Sequence, residues 1–122
     1  DSISEATVDK VASMISGTDI VLVFLDGCHK KDHVAQELEY YSKFVSVGSY
    51  VVAMDGIMEN LVGAPRSKED WATNNPASAS LEFIEQHSDF ILDRPKSPFN
   101  EGNIDNYPSY FHHGYIKRIS SA

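Results

Sequence analysis

Asp26 and Asp55 each close a short apolar run, Ile20-Val-Leu-Val-Phe-Leu25 and Tyr50-Val-Val-Ala-Met54, with one amphipathic stretch between them. Runs that apolar are expected of strands buried on both faces, and two such strands joined by a helix make a parallel β-α-β unit. In open parallel sheets, ligands lie beyond the carboxyl ends of the strands. The two carboxylates are therefore expected to meet at one edge of the sheet, close enough to share an ion or a water.

The chain that must position them has 122 residues, the size of one small domain, and 42% hydrophobic composition is enough for an ordinary core. Net charge is −8, and apart from the pairs Lys30-Lys31 and Lys117-Arg118 the basic residues are scattered. A phosphate-backbone partner demands a basic face, so neither nucleic acid nor an anionic membrane is expected as a partner. One cysteine, Cys28, can form neither an internal disulfide nor a thiolate zinc site, which fits a reducing cytoplasm. The chain begins at Asp1 without Met, shows no signal peptide, and has no apolar run of the roughly 18 residues that a membrane span needs. It reads as a piece of a longer soluble protein.

Ser2-Ile-Ser-Glu5 has the spacing of a capping box, and Val8, Val11, Ala12 and Ile15 continue it as a helix up to Gly17. A strand over 20–25 follows, then the turn Asp26-Gly27-Cys28-His29. A helix over 32–45 has Val34, Leu38, Tyr41 and Val45 on one face. After Gly48 comes a strand over 50–54. Residues 56–75 form a long polar loop that holds Trp71. Asn75-Pro76 then starts a helix that ends near His87. A strand over 90–92, a second polar loop over 93–109 and a last strand over 114–119 complete the chain. The final two strands have no helix between them and are expected to pair as an antiparallel hairpin.

This order is similar to the second half of a class I S-adenosylmethionine-dependent methyltransferase. Phe24-Leu-Asp-Gly-Cys-His-Lys-Lys-Asp-His-Val-Ala-Gln-Glu-Leu38 and Val47-Gly-Ser-Tyr-Val-Val-Ala-Met-Asp55 resemble the cephalosporin hydroxylase/rhamnosyl O-methyltransferase family. So do Asn75-Pro-Ala-Ser-Ala-Ser-Leu-Glu-Phe83, Phe90-Ile-Leu-Asp-Arg94 and Gly114-Tyr-Ile-Lys-Arg118. The resemblance implies an α/β fold in which residues 1–122 are the C-terminal part of a Rossmann-like domain. Its sheet would be mostly parallel, would end in an antiparallel hairpin and would carry helices on both faces. The N-terminal cofactor-binding part is absent, since no Gly-x-Gly occurs anywhere in the chain. The implied activity is transfer of a methyl group from S-adenosylmethionine to a hydroxyl of a small molecule or sugar, with the 122-residue chain inactive alone.

The same resemblance implies the site. Asp26 and Asp55 match positions that bind magnesium in catechol-type and sugar O-methyltransferases, while Met54 stands where a carboxylate is usual. Carboxylates and water suit that hard cation. His29 matches a basic residue that deprotonates the acceptor, with stacking on the cofactor or capping of the next helix as the alternatives, and Asp26 and His29 both border the cofactor. Cys28 falls where some sugar O-methyltransferases have a catalytic Asp, but is read as structural. Glu37, Glu39, Lys30 and Lys31 are read as a solvated helix face, and Trp71 and the aromatics of 107–111 as packing or a substrate lid. His87-Ser-Asp89 has the spacing of a non-haem iron motif but falls at the wrong end of a strand and is read as chance. The rival function is a non-catalytic binding or assembly module that has lost its ion with Met54. In either case the unpaired side of the strand over 20–25 is expected to favour a homo-oligomer or pairing with a missing N-terminal half.

Overall fold

A computed structural model of the chain describes residues 1–96, 102 and 108–121. Helix α1 (Glu5–Met14) is capped by Ser4, whose side chain accepts the Thr7 N–H, and not by Ser2 as the capping-box spacing suggests. Ser2 is engaged elsewhere: its hydroxyl lies 3.0 Å from the His33 ring and its carbonyl accepts the Tyr41 hydroxyl at 2.6 Å. Strand β1 (Val23–Leu25) uses only the second half of the apolar run. Val21 instead exchanges hydrogen bonds with Ser46, through the Ser46 hydroxyl and N–H, in the turn before β2.

Helix α2 (Lys31–Tyr41) continues into one 3-10 turn over Ser42–Phe44 and buries Val34, Leu38 and Tyr41, as its spacing predicts. Strand β2 (Tyr50–Ala53) follows. The long polar loop contains two 3-10 turns, Gly56–Asn60 and Glu69–Ala72. Helix α3 (Pro76–Gln86) starts as expected from Asn75, whose side chain accepts the Ser78 N–H at 2.8 Å. Strands β3 (Phe90–Leu92) and β4 (Tyr115–Arg118) complete the fold.

The sheet order is β1-β2-β4-β3. β1 and β2 are parallel as predicted, while β4 is antiparallel to both β2 and β3. The expected terminal hairpin is present, and because β4 lies between β2 and β3 only one of the three pairings is parallel. The result is an α/β arrangement with a mixed sheet, consistent with part of a Rossmann-like fold.

The described helices do not cover both faces. Residues of α1, α2 and α3 join Leu25, Val51, Ala53, Phe90 and Ile116 in one core cluster, so all three helices serve the same side of the sheet. Alternation along the strands sends Phe24 and Ile91 to the other side, where they are 58% and 42% exposed. Val52 is covered there, flanked in register by Phe24 and Tyr115. β1 is thus not buried on both faces: among the described residues it is an edge strand with β2 as its one neighbour.

Two glycines bring the segment before β4 against the end of β2. A Cβ on Gly114 would overlap the Ala53 carbonyl oxygen, and one on Gly56 would overlap the carbonyl of His112. The Ala53 N–H donates to the Gly114 carbonyl at 2.9 Å, and the Ile57 N–H to the Tyr110 carbonyl at 3.1 Å.

Candidate metal and proton-transfer site

The parallel register pairs Leu25 with Ala53, so β1 and β2 end together, and the Met54 N–H donates to the Leu25 carbonyl at 3.1 Å. Asp26 leaves β1 at that edge. Asp55 follows one residue beyond Met54 in a left-handed conformation, φ 61° and ψ 24°, which aspartate tolerates better than most side chains. The turn after Asp26 brings His29 back over the strand ends. Its Nε2 lies 3.1 Å from Asp55 Oδ2 and 3.7 Å from Asp26 Oδ1. The loop that follows β2 fixes this turn from the other side, because Asn74 Oδ1 accepts the N–H of Lys31 at 2.8 Å.

The structure therefore brings Asp26, His29 and Asp55 together, with one ligand atom from each inside a 4.8 Å group. Asp26 is the most open of the three, its side chain 59% exposed, against 32% for His29 and 34% for Asp55. His29 Nε2 is itself buried and makes no aligned hydrogen bond, although Asp55 is within ion-pair distance. A buried ring nitrogen facing two carboxylate oxygens fits a divalent cation. The donor set is mixed, however. Nitrogen ligation widens the choice from magnesium towards manganese or zinc, and Met54 beside Asp55 adds no oxygen donor.

Glu37 differs from expectation. It is not part of a solvated face but 3% exposed, with Oε1 3.5 Å from His33 Nε2 and Oε2 without a hydrogen-bond partner. It lines a cleft of about 250 Å³ along β1 with Ser2, Phe24, Asp26, Gly27 and Tyr41. Burial, and then the Glu37 charge, raise the Tyr41 hydroxyl above its ordinary pKa. Lys30 and Glu39 are exposed as predicted, and Lys31 pairs with Glu82. Helical periodicity misses Glu37 because its direction points past the apolar stripe towards the edge strand.

The His87-Ser-Asp89 spacing assembles no iron site among the described residues. His87 stacks on Phe83 and lies 3.3 Å from Glu39, while Asp89 faces Arg118. Cys28 is a half-buried free thiol. Trp71 is half-buried in the second 3-10 turn, Tyr110 is exposed and Phe111 packs on Tyr115, while Tyr107 lies outside the described residues.

A second group went unread in the sequence. His112 Nε2 is 2.8 Å from Glu59 Oε1, and His113 Nδ1 is 3.9 Å from the same oxygen. Burial, and then the neighbouring His112, depress the His113 pKa below the usual imidazole value, against the pull of Glu59. The adjacent histidines were a visible signal, but Glu59 lies 53 residues before His112 in an irregular loop, and nothing in spacing links them.

The family described as Rhamnosyl O-methyltransferase/CmcI matches residues 1–119. No match to a curated protein or to a solved structure was found. No helix among the described residues is long and apolar enough to cross a membrane.

Proposed function

The chain belongs to the rhamnosyl O-methyltransferase/CmcI family, and on that footing we propose that it is the C-terminal part of an S-adenosylmethionine-dependent O-methyltransferase acting on a hydroxyl of a small molecule or sugar. The observation that carries this reading is the convergence of Asp26, His29 and Asp55 at the carboxyl ends of two parallel strands. S-adenosylmethionine, when bound, supplies the methyl group. His29 takes the acceptor's hydroxyl proton on the ring nitrogen that faces neither carboxylate, and Asp55, 3.1 Å from Nε2, steadies the imidazolium that results. Asp26 and Asp55 would hold a divalent cation, which lowers the acceptor hydroxyl's pKa when present. The chain's remaining task is alignment, because an in-line displacement gains most from holding the acceptor oxygen in place.

These residues alone do not enclose the cofactor. The cleft beside Asp26 and Gly27 offers one wall, and the chain has no glycine-rich loop to form the other. Two features beside β1 support a further segment of the polypeptide on that side. Leu22 and Phe24 are exposed there, 49% and 58%, and the buried Glu37 carboxylate keeps an unpartnered oxygen in the cleft. Such a segment would pair with the open edge and bring hydrogen-bond donors to Glu37.

Methyl transfer by the full-length protein tests the base role. His29→Ala is expected to lower the transfer rate by roughly 100-fold or more while cofactor affinity changes little. Equal rates for wild type and variant across roughly pH 6 to 9 would remove His29 from that role. Met54 favours a second reading, a non-catalytic binding or assembly module, whose mark would be the absence of cofactor binding.

A further inference from the structure

We propose that Glu59, His112 and His113 form a metal site for a zinc-class divalent ion, separate from the Asp26, His29 and Asp55 group. Two imidazole nitrogens and one carboxylate oxygen are the donor set that borderline ions such as zinc and cobalt prefer, whereas magnesium prefers oxygen alone. The three ligand atoms already lie within 4.8 Å of one another.

Distances sharpen the case. Zinc-ligand bonds near 2.1 Å in a tetrahedron put neighbouring ligand atoms about 3.4 Å apart. The two separations to Glu59 Oε1, 2.8 Å from His112 and 3.9 Å from His113, straddle that value. Side-chain shifts of roughly half an ångström convert one arrangement into the other. As it stands, Glu59 is close enough to serve His112 and too far to serve His113. His113 Nδ1 is buried and has no hydrogen-bond partner. A cation between the three would give that nitrogen a partner.

The backbone is committed to this juxtaposition. Gly56 sits against the His112 carbonyl and Gly114 against the Ala53 carbonyl, so segment 111–114 is pinned to the turn that carries Glu59. His113 adopts a left-handed conformation, φ 53°, which is uncommon for a side chain of its size and places its ring beside that of His112 at a centroid separation of 3.9 Å. Three protein ligands leave a position open on a tetrahedral ion. His112 and His113 also line a pocket of about 220 Å³ with Arg94, Ser109, Phe111 and Tyr115, which gives water or an oxygen-bearing ligand room beside the two histidines.

The site is independent of the methyltransferase reading, and its test uses the metal itself. Titration of the protein with cobalt, followed by visible absorption and competed with zinc against a chromogenic chelator, is expected to show one nitrogen-ligated equivalent besides any held at Asp26, His29 and Asp55. His112→Ala and Glu59→Gln should each weaken zinc at least tenfold. His113→Asn, which keeps a residue tolerant of the left-handed backbone, should do the same with an unchanged circular dichroism spectrum. The double change Asp26→Asn with Asp55→Asn should leave this equivalent intact. Zinc affinity unaffected by the His112 and His113 changes, or abolished by the Asp26 and Asp55 changes, would overturn the assignment.

Discussion

His29 depends on neighbours that sequence spacing does locate. Asp26 and Asp55 were legible because each closes a strand, and parallel pairing makes those strand ends meet, while His29 sits in the short turn after the first. Glu37 and the Glu59, His112 and His113 group were not legible, because the place of a polar side chain in a helix or a loop is fixed by tertiary packing that no periodicity records. Asp93 shows the same limit. It accepts the Tyr50 hydroxyl at 2.8 Å and the Lys117 ammonium at 3.1 Å, contacts that join three strands. The Tyr50 bond first, and then Lys117, hold the Asp93 carboxyl below its ordinary 3.8. Its folded pKa is the lower one, so its contribution to stability is present above the unfolded value and is lost as pH falls through the folded value. A carboxyl-carbon titration followed by NMR should show Asp93 with a midpoint under 3.8, moving back towards that value in Tyr50→Phe. An Asp93 midpoint that ignores the Tyr50 change would refute the pairing.

At the level of elements, the helices were nearly complete in the sequence, and the strands less so. α3 was announced by Asn75-Pro76 and by its inner face, and both hold. Asn75 is fully buried and also donates to the Trp71 carbonyl at 2.8 Å, so it ties the loop to the helix as well as capping it. Asn75→Ala should cost about 2 kcal/mol in denaturant unfolding, the upper range for a lost cap. β1 was overestimated because an apolar run carries no mark where pairing stops, and pairing stops where Val21 turns to Ser46. The contact of Gly114 with the Ala53 carbonyl fixes the approach of β4 to β2. Gly114→Ala should destabilise by about 3 kcal/mol, through overlap with backbone that has no room to move. A change under about 0.5 kcal/mol, the size of an ordinary surface substitution, would contradict that close approach.

For the molecule as a whole, α/β character and the terminal hairpin were readable, whereas a mostly parallel sheet with helices on both faces is not what the described residues make. β4 enters between β2 and β3, a placement decided by which strand edge remains free and not by any local signal. The sheet leaves β1 open, with Leu22 and Phe24 exposed along an edge that carries no charge before Asp26. The isolated chain should therefore self-associate through this edge, and sedimentation should show concentration-dependent mass. A monomer at high concentration with slowly exchanging β1 amides would count against an unpaired edge. Family membership, the convergent carboxylates and the open cleft are what support the proposal that the complete polypeptide binds S-adenosylmethionine beside a cation held by Asp26 and Asp55. Calorimetric titration of the full-length protein with S-adenosylmethionine, followed by magnesium or manganese, tests it most directly in wild type and Asp55→Asn. The account predicts cofactor binding in both proteins and a metal-binding heat that Asp55→Asn abolishes; no cofactor binding in the wild type would contradict it.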